Sequence, residues 1–127
     1  MYQWRNKKIL IVEDDPVTCK LIDIMLKKTG VQVFYAENGQ QAIAFCTKKQ
    51  ALDLILMDLQ LPVMDGFAAT REIKTICPGV PVIVQTAYTL GGEEYKCREV
   101  GCDEYLTKPF SQGELLAMLD KYLSPHH

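Results

Sequence analysis

Acidic, hydroxyl and amino side chains recur along this 127-residue chain at the ends of short apolar runs. Glu13-Asp14-Asp15 follows Ile9-Leu10-Ile11-Val12, Asp58 follows Leu54-Ile55-Leu56-Met57, Thr86 closes the run that begins at Val80, and Lys108-Pro109 follows Glu104-Tyr105-Leu106-Thr107. Three or four carboxylates gathered at one place would repel one another in a partly dry site unless a proton or cation compensates. A divalent metal is the natural compensator. Oxygen ligands without His or Cys favour Mg2+, which keeps several waters and takes one or two carboxylates plus a substrate phosphate. A lysine and a hydroxyl beside it complete a set suited to the oxygens of a phosphoryl group, so the chemistry expected is phosphoryl transfer. Asp15 stands apart, because Pro16 follows it and an aspartate before a proline caps a helix. Alone, Thr86 would be an ordinary strand-end residue and Lys108 a surface lysine before a turn. Their weight comes from sharing an edge with the carboxylates.

That edge exists only if the runs are strands of one sheet. Residues 9–12, 52–57 and 80–84 are apolar at nearly every position, which suits parallel strands covered on both faces. Residues 31–36 and 104–107 read as two more. Helical spacing lies between them: Val17, Leu21, Ile24 and Met25; Ala69, Ile73, Ile76 and Cys77; Leu115, Leu116, Leu119 and Leu123. Gly30 stops the first helix, and Ser111 with Glu114 makes a capping box for the last. Five strands alternating with five helices predict a doubly wound α/β sheet, whose functional edge is the carboxyl ends of the strands.

Composition narrows the function. With 48% hydrophobic residues, 14 basic against 16 acidic side chains and a net charge of -2, the chain is expected to form one domain that needs no disulfide or metal staple. No basic block follows a phosphate backbone, so direct nucleic-acid binding is not expected. No apolar run approaches the ~20 residues of a membrane span, and the first residues lack a signal-peptide core, which predicts a soluble, cytoplasmic protein without membrane contact. Cys19, Cys46, Cys77, Cys97 and Cys102 form no CxxC pair and are expected to be reduced small hydrophobes. His126 and His127 stand at the extreme C-terminus and are assigned no chemistry, which removes His-based catalysis and His-ligated zinc.

Two rival phosphate chemistries fail on particular residues. An aspartate-nucleophile phosphatase of the haloacid-dehalogenase type needs a second Asp two positions after the first, where this chain has Gln60. A flavodoxin-like flavin binder would cradle phosphate after strand one, where Glu13-Asp14-Asp15 would repel it. Neither GxGxxG nor GxxxxGK[ST] occurs, and Gly91-Gly92 lacks the flanking pattern.

ILIVEDDP, LILMDLQLPVMDGF, VIVQTAY and YLTKPF, in that order and each at a strand end, resemble the receiver domain of two-component response regulators. DLQLPVMDGFAATREIK is most similar to receivers inside hybrid histidine kinases. The resemblance covers about residues 7–123 of a single domain spanning 1–127, with 124–127 a tail or tag remnant. It implies a five-stranded parallel sheet of order 2-1-3-4-5 and a flavodoxin-like fold. It also implies that Asp58 is the phosphoacceptor and that Glu13, Asp14, Asp58 and the backbone carbonyl of Gln60 hold Mg2+, with Mn2+ able to substitute. Thr86 and Lys108 would contact the phosphoryl oxygens, Tyr105 would be the switch aromatic, and the Lys108–Pro109 peptide would be cis.

The function so implied is signalling rather than turnover. A histidine kinase or histidine phosphotransfer domain gives its phosphoryl group to Asp58, and the face of the fourth helix, fifth strand and fifth helix then changes its affinity for a downstream partner. The domain catalyses only its own phosphorylation and dephosphorylation, and is free or tethered to a membrane through a parent hybrid kinase. The alternative is a pseudo-receiver, a binding module that keeps the fold unphosphorylated. Gln60 and Tyr88 stand where the hydrolytic water would approach; neither is charged at neutral pH, and the Tyr88 ring is bulky, so slow loss of phosphate is expected.

Overall fold

The computed structural model describes residues 2–48, 51–87 and 93–124. Five strands, β1 (Lys8–Val12), β2 (Gln32–Ala36), β3 (Leu54–Asp58), β4 (Val82–Thr86) and β5 (Glu104–Thr107), alternate with helices α1 (Pro16–Leu26), α2 (Gly39–Thr47), α3 (Gly66–Ile76), α4 (Glu93–Val100) and α5 (Gln112–Leu123). All strand pairs are parallel and the order is β2-β1-β3-β4-β5, as the resemblance implies. No described helix is long and apolar enough to cross a membrane.

The pleat explains why the strands are apolar throughout. Leu10, Val12, Ile55, Met57, Val82 and Val84 point to one side, where α2, α3 and α4 supply Ala42, Cys46, Ala69, Ile73 and Cys97. Ile9, Ile11, Leu54, Leu56 and Ile83 point to the other, against Ile22 and Leu26 of α1 and Leu115, Leu119 and Leu123 of α5. Alternate residues thus enter two separate cores, and neither side of β1, β3 or β4 meets water. The caps form as expected: the Asp15 side chain accepts from the Val17 N–H, and Ser111 and Glu114 exchange side-chain and backbone bonds at the start of α5.

Several expectations are corrected. In α1, Val17, Leu21 and Ile24 are 66, 52 and 59% exposed, while Ile22 and Leu26 are buried. At about 100° per residue, Leu26 lies on the opposite side of the helix from Val17. The helix carries two apolar stripes, and the one facing the sheet is not the one whose spacing stands out. Ile76 of α3 is likewise exposed. β3 and β4 begin and end one or two residues later than the apolar runs suggest, so Asp58 and Thr86 are their last residues. The cysteines are not all free: the sulfurs of Cys97 and Cys102 are within bonding reach, whereas Cys19, Cys46 and Cys77 are unpaired.

Trp4 is buried under the α1–α5 side, its ring 5.2 Å from that of Tyr2. Its N–H donates to the Thr29 carbonyl at 2.8 Å and its indole Nε1 to Ser124 Oγ at 3.3 Å. In the loop after β3, Val63 has φ 72° and is 76% exposed. A β-branched residue in that left-handed region costs roughly 1–2 kcal/mol, and here no burial offsets it. Val63→Asn is therefore expected to raise stability by about 1 kcal/mol, read as a higher denaturant midpoint at unchanged slope; a midpoint at or below that of the wild type would show that the loop is not strained.

Candidate functional site

The ends of β1, β3, β4 and the segment after β5 meet at one edge because the sheet is parallel. Strand alternation then sorts their side chains. Counting from Ile11, Leu56, Ile83 and Leu106 on the α1–α5 side, the residues two further along are Glu13, Asp58, Gln85 and Lys108. Counting from Val84 on the other side, the corresponding residue is Thr86, and Tyr105 packs against that same core. Four polar groups thus share one face of the edge, and Thr86 and Tyr105 share the opposite one.

Glu13 and Asp58 are buried and Asp14 is exposed; one carboxylate oxygen from each lies within 4.8 Å of the others. Two unit charges about 5 Å apart repel by roughly 3 kcal/mol at an effective dielectric near 20. Lys108 offsets part of this, its Nζ 3.3 Å from Asp58 Oδ2 and 3.5 Å from Glu13 Oε1. The remaining oxygens accept from the backbone: Asp58 Oδ1 from the Gln60 N–H at 3.1 Å, and Glu13 Oε2 from the Asp15 N–H at 3.2 Å. Lys108 is aimed by its own backbone, whose N–H donates to the Thr86 carbonyl at 2.7 Å, and the Lys108–Pro109 peptide is cis. Asp15 takes no part in the cluster: it accepts from the Thr18 hydroxyl and the Val17 N–H, which hold its carboxyl below the usual range.

Gln85 is a member of this site that the sequence reading passed over. It is fully buried, its Nε2 donates to Glu13 Oε1 at 3.3 Å, and its Oε1 has no partner among the described residues. The signal was available, since a glutamine inside a strand buried on both faces needs a polar partner. Tyr88 and Gly91-Gly92 lie outside the described residues, as do His126 and His127.

Burial and the Asp58 charge raise the Glu13 carboxyl from 4.5 to about 7, against the opposing pull of the Asp15 N–H and Lys108. Unfolded, Glu13 releases its proton near 4.5; folded, it holds it to about 7. The metal-free native state therefore binds more protons in that window, and the stability this proton confers is lost as pH rises through it. In metal-free buffer, Tm of the wild type is expected to fall relative to Glu13→Gln between about pH 5 and 7.5. Parallel curves for the two proteins would show that Glu13 keeps an ordinary pKa.

Hard oxygen donors, an excess of negative charge over the single lysine and the absence of His or Cys among the three clustered acids fit a divalent cation of the Mg2+ kind. Comparison with known proteins adds to this geometry. The profile of the response regulator receiver domain matches residues 9–120. The chain is 35% identical over 122 residues to the transcriptional regulatory protein ZraR of Escherichia coli, covering 96% of this chain and 27% of ZraR. It therefore spans about a quarter of that relative's length. Sporulation initiation phosphotransferase F of Bacillus subtilis is 36% identical, with 93% of this chain and 94% of that protein covered. Receivers within hybrid histidine kinases are also among the matches. Among solved structures, the receiver domain of the sensor histidine kinase PA1611 from Pseudomonas aeruginosa, with a magnesium ion in its active site cleft, superposes with a TM-score of 0.84 at 40% identity over 94% of this chain and 98% of that one.

Proposed function

Because this chain belongs to the response regulator receiver domain family, we propose that it is a phosphoacceptor of a two-component phosphorelay and that Asp58 carries the phosphoryl group. The observation that supports this most is the Asp58 carboxylate at the end of β3, held beside Lys108 and the acids Glu13 and Asp14. Asp58 attacks the phosphorus of a phosphohistidine on a histidine kinase or phosphotransfer domain; the P–O bond forms, the P–N bond breaks, and the histidine leaves. Lys108, its Nζ 3.3 Å from Asp58 Oδ2, would neutralise charge on the transferred oxygens. Glu13, Asp14, Asp58 and the Gln60 carbonyl would hold Mg2+, which supplies further neutralisation of that charge.

The product places a dianion where a carboxylate stood. Thr86, the last residue of β4, would donate its hydroxyl to it, and because Thr86 and Tyr105 pack on the same side of the sheet, movement of the first would open space for the second. The α4–β5–α5 face would read out the change. The partner that delivers the phosphoryl group has a surface to rest on: Val17, Leu21 and Ile24 form an exposed apolar stripe on α1, the helix that starts directly after Glu13-Asp14-Asp15. This reading puts the domain in the cytoplasm, free or carried by a larger kinase.

Incubation with Mg2+ and acetyl phosphate, followed by intact-mass measurement, tests it: one phosphoryl increment is expected, and none would favour the pseudo-receiver. Mg2+ is also expected to stabilise the fold by mass action, by about 1.4 kcal/mol at a concentration tenfold above its Kd and read as a higher Tm, and Mn2+ to act similarly. Asp14→Ala should remove most of that shift. Indifference of the wild type to millimolar metal would show that the acidic cluster holds no cation.

A further inference from the structure

Helix α4 ends in a turn that brings two cysteines together. The N–H groups of Gly101 and Cys102 reach back to the Cys97 carbonyl at 3.1 and 3.0 Å, and Gly101 has φ 93°. In this left-handed cap the residue that offers its carbonyl and the residue after the glycine make a side-chain contact, usually between two apolar groups. Here both are cysteines. They are buried, with Cα atoms 5.2 Å apart, inside the range a disulfide spans. Cys97 Sγ also lies 3.8 Å from the Glu104 carbonyl, so a reduced thiol there has an acceptor and the turn accommodates both redox states.

We propose that Cys97 and Cys102 are an oxidation site, a reversible dithiol whose disulfide ties the last turn of α4 to the start of β5. The oxidant is a small peroxide, because neither sulfur is open to a bulky one. Cys102, the more exposed of the two and outside the helix, attacks hydrogen peroxide as thiolate. The O–O bond breaks, hydroxide leaves and takes up a proton, and Cys102 becomes a sulfenic acid. The Cys97 thiol then displaces water from it. Two thiols and one peroxide yield one disulfide and two waters, with both electrons ending on peroxide oxygen; an external dithiol reverses the step. The bond closes a short ring across Gly101 and keeps α4 from separating from β5 at that end. It lies three residues before Tyr105, on the same side of the sheet. A competing pair exists, since Cys77 Sγ approaches the Cys46 carbonyl at 3.8 Å, but burial pushes the Cys46 thiol up to about 11 and leaves it little thiolate.

The test treats the intact protein with hydrogen peroxide, then denatures it, alkylates it with N-ethylmaleimide and weighs it. Of the five cysteines, three should be alkylated, and dithiothreitol should restore all five. Tryptic fragments carrying Cys97 and Cys102 should be linked. Backbone hydrogen exchange over residues 97–104 should slow by about tenfold in the oxidised form and recover on reduction. Cys102→Ala should keep four alkylatable thiols under the same treatment, whereas in Cys97→Ala the sulfenic acid stays unresolved on Cys102 and leaves the thiols of Cys19, Cys46 and Cys77. Five alkylated cysteines in the treated wild type, a linkage mapping to Cys46 and Cys77, or a linked 97–102 pair with unchanged exchange would each overturn the proposal.

Discussion

Asp58→Ala is expected to abolish the phosphoryl increment from acetyl phosphate and, at the same time, to make the metal-free protein more stable by about 1–2 kcal/mol. Both effects come from one geometry. Asp58 and Glu13 are buried carboxylates sharing one Lys108, and removing either charge leaves a matched pair. Without the Asp58 charge, the Glu13 carboxyl loses one of the influences that raise it, so the fall in stability between about pH 5 and 7.5 should shrink as well. Asp58→Asn should behave alike in labelling while keeping an acceptor for the Gln60 N–H. Undiminished labelling of Asp58→Ala would place the acceptor elsewhere. A loss of labelling accompanied by collapse of the fold would remove the electrostatic account of the site.

The second large effect is mechanical. A Cβ on Gly66, the first residue of α3, would stand 2.4 Å from the Asp58 carbonyl oxygen and 2.9 Å from Leu59 Cα. Both are backbone atoms, so no rotamer change relieves the clash. Gly66 also donates its N–H to the Leu59 carbonyl at 3.2 Å, which fastens the start of α3 to the end of β3. Gly66→Ala is therefore expected to destabilise by roughly 3 kcal/mol, near 10 °C in Tm, and to depress labelling in the remaining folded protein because Asp58 is displaced. Gly113→Ala is the matched control. Its added methyl meets only Ser111 Oγ at 3.8 Å within α5, so it should stabilise by about 0.5–1 kcal/mol through helix propensity. Equal effects of the two substitutions would mean that the contact at Gly66 does not constrain the site.

Much of the edge was legible in the chain itself. A strand buried on both faces is apolar nearly to its end, so Glu13 and Asp58 announced themselves by interrupting the runs, and Thr86 and Lys108 by sharing their edge. Other features depend on distances between elements that spacing does not carry. Val17, Leu21 and Ile24 repeat as a core stripe should, yet α1 turns Ile22 and Leu26 inward. Trp4 precedes every periodic segment, and its burial depends on the 3-10 turn Lys27–Thr29 and on Ser124, far along the chain. Gln85 was hidden because the apolar stretch 80–84 stops just before it and Thr86 drew the chemistry of the strand end. The meeting of Cys97 and Cys102 requires the left-handed Gly101, which a glycine after a helix suggests but does not guarantee.

Trp4 also serves the experimenter. It is the chain's single tryptophan, enclosed beside the amino ends of the strands while the acidic cluster occupies their carboxyl ends. Its fluorescence is blue-shifted when enclosed and moves red on exposure to water. Emission therefore follows global unfolding, and cation or phosphoryl occupancy at the far edge does not quench it directly. An optical melt can be recorded with the same baseline in the presence or absence of ligand.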